Sequence, residues 1–160
     1  MAALVAPPLL LLASGQAGLL QGHAPDDLGV RQGRLKPPSE TRNSVSSQAD
    51  LHPGHPQQEH ARVEPWPWPD DDPVRAMQLL ADVLSGEPSL RVVRRADDYI
   101  HAEARTRWLG FVDDLEFWSD PDNRVIQVRS ASRLGREDFG ANRRRMEQLR
   151  TRYMAAAGGG

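Results

Sequence analysis

Three carboxylates crowd into one short stretch of this chain, Asp113, Asp114 and Glu116 in VDDLEFW, and arginines follow at Arg129, Arg133 and Arg143. In a strand the side chains alternate between faces, so Asp113 points to one side while Asp114 and Glu116 point to the other. A carboxylate on the core side has its charged form disfavoured by desolvation, which is one way to tune a general base. Arginines nearby could hold an anionic substrate. Asp113, Asp114 and Glu116 are therefore the catalytic candidates. A structural account competes and is the stronger. Asp113 can accept hydrogen bonds from Ser130, Ser132 or Asn142, with Arg143 closing the network, because a buried charge must be paired. Ser44, Ser46, Ser47, Ser130 and Ser132 form no nucleophile elbow and have no histidine assignable to them.

A second chemistry is recognition. On the face opposite Asp113, Tyr99, Trp108, Val112 and Trp118 interleave with His101, Glu103, Arg105, Asp114, Arg129 and Arg133. Aromatic residues and arginines anchor interfaces, which makes Trp108, Trp118, Arg129 and Arg133 the binding candidates. The plainer reading is a wet sheet surface of weak cross-strand pairs.

Other classes fall away. His52, His55 and His60 in HPGHPQQEH have the spacing of imidazoles that converge on zinc or copper, but the prolines prevent a helix that would align them. No metal site and no cofactor are expected. The chain has no cysteine, which excludes disulfides, thiolate metal sites and a cysteine nucleophile. With a net charge of -2 and a pI near 6.2, the overall field does not recruit nucleic acid. Arg143, Arg144 and Arg145 point around a helix and have no aromatic stacking platform, so no nucleic-acid partner is expected.

The elements that position these residues are readable from residue 62 onward. Asp72 can cap a helix that has Pro73 in its first turn and Gly86 at its end, with Val74, Met77, Ala81 and Leu84 as its buried stripe. A short strand over Leu90–Arg95 precedes three alternating strands. A turn at Thr106 and Arg107 would set Ala104 opposite Leu109, Ala102 opposite Phe111 and Ile100 opposite Asp113. A turn over DPDN, Asp120 to Asn123, would set Phe117 opposite Ile126, Leu115 opposite Val128 and Asp113 opposite Ser130. Asp114 would then face Arg129, and Glu116 would face Gln127. The closing helix begins near Asp138 and carries Phe139, Asn142, Met146, Leu149 and Tyr153 on one stripe. The expected fold class is α+β: an antiparallel, meander-like sheet of about four to five strands with two helices packed on one face.

Organisation ahead of this domain is set by composition. Residues 1–22 carry no charged side chain, and residues 4–20 read as a membrane anchor, just reaching the ~20 residues a spanning helix needs. A cleaved signal peptide is the alternative, with small residues Gly15 and Ala17 around Gln16 but no basic n-region. Arg31, Arg34 and Lys36 give only a weak cue to orientation, so the side of the membrane stays open. Residues 23–61 are rich in proline, glycine and serine and read as a tether, with Trp66 and Trp68 of PWPWP as a lid or edge strand. Residues 62–154 form the α+β domain, and residues 155–160 read as a disordered tail.

The chain resembles the bacterial and plant family called domain of unknown function 1499. The likeness is carried by NSVSSQAD (Asn43 to Asp50), FVDDLEFW (Phe111 to Trp118), and VRSASRLG with DFGANRRRMEQLR, from Val128 to Arg150. DLGVRQGRLKPP, Asp27 to Pro38, is similar to the pre-domain segment of membrane-anchored members. Where many relatives have a cysteine after the asparagine, this chain has Ser44. The resemblance implies a fold and association with a membrane or the cell envelope, and it supplies no activity. The function expected is a membrane-tethered, non-catalytic binding or scaffold module of the envelope with a protein or small-molecule partner. The alternatives are an enzyme that acts on an anionic small molecule through Asp113 and neighbouring arginines and, for location, a secreted or periplasmic protein.

Overall fold

A computed structural model describes Gly18 and residues 20–159, so the anchor expected over residues 4–20 lies almost wholly outside the described residues. The architecture is α+β: six antiparallel strands and three helices. The strands are β1 (Ser44–Ser46), β2 (Trp66–Pro67), β3 (Leu90–Arg95), β4 (Tyr99–Arg105), β5 (Val112–Asp120) and β6 (Val125–Ser132). The helices are the single-turn α1 (Gln58–Ala61), α2 (Pro73–Ser85) and α3 (Ala141–Gly158). β3 to β6 form the expected meander. β1 and β2 both pair with the outer edge of β6, which raises the strand count above the expectation.

Local chemistry explains the element ends. Asp72 Oδ1 accepts from the amides of Val74 and Arg75, Pro73 opens α2, and the amide of Gly86 closes it against the carbonyls of Asp82 and Val83. Ala76, Met77, Leu80, Ala81 and Leu84 are buried, but Val74 is 76% exposed because it falls in the first turn, off the stripe. Asp138 caps the start of α3 through the amides of Gly140 and Asn142. Met146, Leu149 and Tyr153 are buried as expected. Phe139 is 82% exposed, because it lies before the helix with φ +52° and its side chain is turned outward. The helix continues through Gly158, so the alanines expected in a tail are helical.

On the helix side of the sheet, Ile100, Ala102, Ala104, Leu115, Phe117, Ile126 and Val128 form the core with α2, α3 and Trp66. Trp66 packs 5.4 Å from the rings of both Phe117 and Tyr153. Which face each strand residue occupies follows the expectation, but both registers slide by an even number of residues. Ala104 pairs with Asp113, and Ile100 with Phe117. The reason is the loop: residues 106–111, rather than two residues, connect β4 to β5, closed by the Thr106 amide on the Phe111 carbonyl, with Gly110 at φ +67°. Between β5 and β6, Asp120 is the last strand residue and Arg124, at φ +56°, completes the turn. Phe117 therefore pairs with Val128, Asp113 with Ser132, and Glu116 with Arg129, while Asp114 lies opposite Ala131.

The largest departure concerns the other face. Residues 23–61 are not a free tether. Ala49 and Ala61 are fully buried, β1 extends the sheet, and residues 22–38 lie across the outer face of β4, β5 and β6. This strap reverses at Gln32 and Gly33, both at positive φ, where Arg31 and Arg34 exchange backbone hydrogen bonds of 2.8 and 3.1 Å. Leu35 is buried against Tyr99 and Trp118, with Val30 packed on them. Every residue of β5 is buried, because the sheet is covered on both sides.

Candidate functional site

The candidate residues separate into two polar clusters on opposite faces of β5. Under the strap, Glu116 is fully buried. Its Oε1 accepts from the Tyr99 hydroxyl and the Gly29 amide, each at 2.8 Å, and Arg129 Nη1 donates to Oε2 at 3.2 Å. Arg129 Nε donates to the Pro37 carbonyl. Both arms of the strap are thus tied to one buried ion pair. Burial, with the adjacent Glu116 charge and hydrogen bond, pushes the Tyr99 hydroxyl well above the usual range for tyrosine, so it stays protonated and donates.

Next to this pair, Arg133 holds Asp114 with two nitrogens, Nε at 2.8 Å and Nη2 at 2.7 Å, and reaches Glu103 at 2.6 Å. His101 Nε2 approaches Asp114 Oδ1 at 2.8 Å. Burial alone would raise the Asp114 carboxyl, but hydrogen bonds and charge from Arg133 and His101 outweigh it and hold Asp114 below the usual carboxylate range. Glu103 is lowered in the same way, through Arg91 and Arg133. The hydrogen bonds to Asp114 hold the Arg133 guanidinium even more firmly protonated than a free one.

On the helix side, Asn142 is fully buried and organises the second cluster. Its Oδ1 accepts from Ser130 Oγ at 2.5 Å and Arg145 Nη1 at 3.0 Å; its Nδ2 donates to the Asn43 carbonyl, Ser132 Oγ and Asp138 Oδ2. Arg145 Nη2 pairs with Asp113 Oδ2 at 2.7 Å. Asp113, Ser130, Ser132 and Asn142 meet as expected, but Arg143 does not join them. It donates to the carbonyls of His60 and Arg62, which ties α3 to the segment before β2. Arg145 takes its place because it lies three residues beyond the buried Asn142 on the same face of α3, where it also donates to Asn142 Oδ1, whereas Arg143, one residue on, is turned about 100° away. Burial would raise Asp138, but the amides of Asn142 and Gly140 hold it low.

The binding candidates are not a surface. Trp118, Arg129 and Arg133 are covered by the strap or by their ion partners, and only Trp108 is exposed, at 64%. The accessible arginines lie elsewhere. A cleft of about 250 Å³ between α3 and the Glu87–Leu90 connection is lined by Arg144, Arg145 and Arg152, with Glu87 paired to Arg152. Composition pointed to no such cleft, since it depends on how α3 meets β3. Among the described residues no group of three or more histidine, aspartate or glutamate side chains is placed to hold a metal, and no helix is long and apolar enough to cross a membrane.

A family model described as a protein of unknown function, DUF1499, matches residues 34–152. The chain belongs to the DUF1499 family. The match starts at Arg34 and so includes β1, α1 and the returning arm of the strap, which places residues 34–61 of the expected tether inside the family domain. Both polar clusters of this DUF1499 domain draw their β5 and β6 residues from within the matched segment, whereas Gly29, which closes the outer one, lies before it. No curated protein and no solved structure matches the chain.

Proposed function

We propose that this DUF1499 protein is a non-catalytic binding or scaffold module of the cell envelope, held at a membrane by residues 4–20. The observation that carries the reading is that each carboxylate able to act as a base is already engaged. Asp113 is held by Arg145, Asp114 by Arg133 and His101, and Glu116 by Arg129, Tyr99 and the strap. A general base needs an open approach for the proton it removes, and these groups instead hold strands, helix and strap together. Arg144, Arg145 and Arg152 in the cleft are suited to an anionic group on a partner or small ligand.

One observation favours an enzyme as the second reading: Arg145 both pairs with Asp113 and lines the cleft. An anionic substrate drawing Arg145 away would release Asp113.

Arg144 and Arg152 are exposed, so replacing both with alanine should leave the fold intact. With the full chain in its native membrane, this double variant is expected to lose the crosslinked partners of the parent protein. An unchanged partner list would count against the binding reading, and turnover of an anionic compound that disappears with Asp113→Asn would replace it.

A further inference from the structure

The loops at one end of the sheet carry a pattern that neither polar cluster explains. Arg105 ends β4 opposite Val112, which begins β5, and Asp113 pairs with Ser132 at the end of β6. Residues 106–111 and 133–140 therefore leave the sheet at the same end. On these loops Trp108, Leu134 and Phe139 are 64%, 41% and 82% exposed. Exposing large apolar groups forgoes their burial, and Phe139 also occupies a left-handed backbone conformation that a bulky residue rarely adopts. Arg105, Arg107 and Arg136 are exposed at the same end, and none makes an ion pair among the described residues. Arg107 lies 5.1 Å over the Trp108 ring.

The chain itself enters at this end. Gly22 packs so closely that an added Cβ would come within 2.8 Å of Arg133 Cβ and 3.1 Å of Leu134 Cγ. The uncharged apolar run at residues 4–20 is joined to Gly22 by a single residue. Whatever receives that run is thereby brought to the loops bearing Trp108, Leu134 and Phe139. Tryptophan settles at the level of lipid headgroups, and unpaired arginines are attracted to anionic lipid.

We infer that this end of the domain docks on an anionic bilayer surface, with Trp108, Leu134 and Phe139 entering the interface and Arg105, Arg107 and Arg136 meeting the headgroups. The inference rests on the anchor reading for how the domain is brought to the bilayer, but its contact surface is separate from residues 4–20. The sheet then stands end-on to the membrane. The turn at residues 121–124 points away from it.

Because the chain has no cysteine, single replacements carry unique environment-sensitive labels. The full chain is reconstituted into vesicles of phosphatidylcholine with phosphatidylglycerol, labelled at Phe139→Cys, Asp122→Cys or Ala13→Cys, and challenged with lipid-borne quenchers. Position 139 should be quenched and blue-shifted and position 122 should stay in water. Removing Arg105, Arg107 and Arg136 as glutamines should lower the ratio of docked to undocked domain about fivefold for each, since each arginine contributes ~1 kcal/mol at such a surface. Quenching at 13 with none at 139 would overturn docking while the anchor stands. Quenching at 139 without 13 would leave docking in place and remove the anchor. Quenching at neither, or equally at 139 and 122, would overturn docking.

Discussion

Replacing Glu116 with glutamine keeps the shape of a fully buried side chain and removes its charge. Arg129, 3% exposed, then loses its counter-charge, and whichever way the new amide turns, its NH2 group faces either the Arg129 guanidinium or the Gly29 amide, both donors. Breaking a buried ion pair by removing one partner costs about 3–5 kcal/mol. With a urea dependence of ~2 kcal/mol per molar, the unfolding midpoint should fall by about 1.5–2.5 M. The strap should loosen as well, so the Gly29 amide loses protection from hydrogen exchange before the sheet does. Replacing the pair together, Glu116→Leu with Arg129→Met, removes both charges and should recover part of the loss, the remainder reflecting the Tyr99 hydroxyl, the Gly29 amide and the Pro37 carbonyl left without these partners. Arg91→Gln, which breaks a pair whose arginine is largely exposed, is the control and should move the midpoint little. A loss below ~1 kcal/mol for Glu116→Gln, the range of a surface pair, would refute the reasoning.

Asp114, Glu103 and Asp138 are held below the usual carboxylate range in the fold. Their folded values lie below the unfolded ones, so the stability they contribute is complete above the unfolded range, near pH 4 to 4.5, and is lost as pH falls through the folded values; urea midpoints should fall with acidification over that window, and Asp114→Asn should flatten the dependence. Tyr153, whose hydroxyl burial pushes to about 12, donates to the Pro67 carbonyl at 2.9 Å; Tyr153→Phe should cost about 1–2 kcal/mol in denaturant unfolding by leaving that acceptor without its partner. Phe139→Asn should raise stability by ~0.5–1 kcal/mol, since asparagine tolerates the left-handed conformation better, while reducing vesicle docking. A variant that gained stability and docked as before would separate the strain from the membrane contact.

Face assignment on the strands was legible because alternation fixes parity: a register error of two or four residues moves no side chain to the other face. Absolute register was not, since it depends on Gly110 and Arg124 adopting left-handed conformations at loop positions that sequence spacing leaves open. Asn142 and the serines opposite it could be placed together from helical and strand periodicity. The choice of Arg145 over Arg143 was legible by the same periodicity, because position 145 shares the face of Asn142 and position 143 does not. The strap was hidden by its composition. Its glycines and prolines read as solvated chain, yet Val30 and Leu35 pack it on Tyr99 and Trp118, and the Gly29 amide and Pro37 carbonyl tie it to the buried ion pair. The signal in the sequence was the outer face itself: Tyr99, Val112 and Trp118 beside unbalanced charges are too apolar for water and require a cover.

The central claim, that the β5 carboxylates serve the fold rather than a reaction, is tested most directly at Asp113, the one whose partner, Arg145, lines the cleft. Asp113→Asn removes the charge opposite Arg145 and should lower unfolding stability by about 1–3 kcal/mol, the worth of a hydrogen bond to a charged group. An unfolding midpoint that is unchanged or raised would contradict the account, because it would mean that this carboxylate is kept for something other than holding α3 to the sheet.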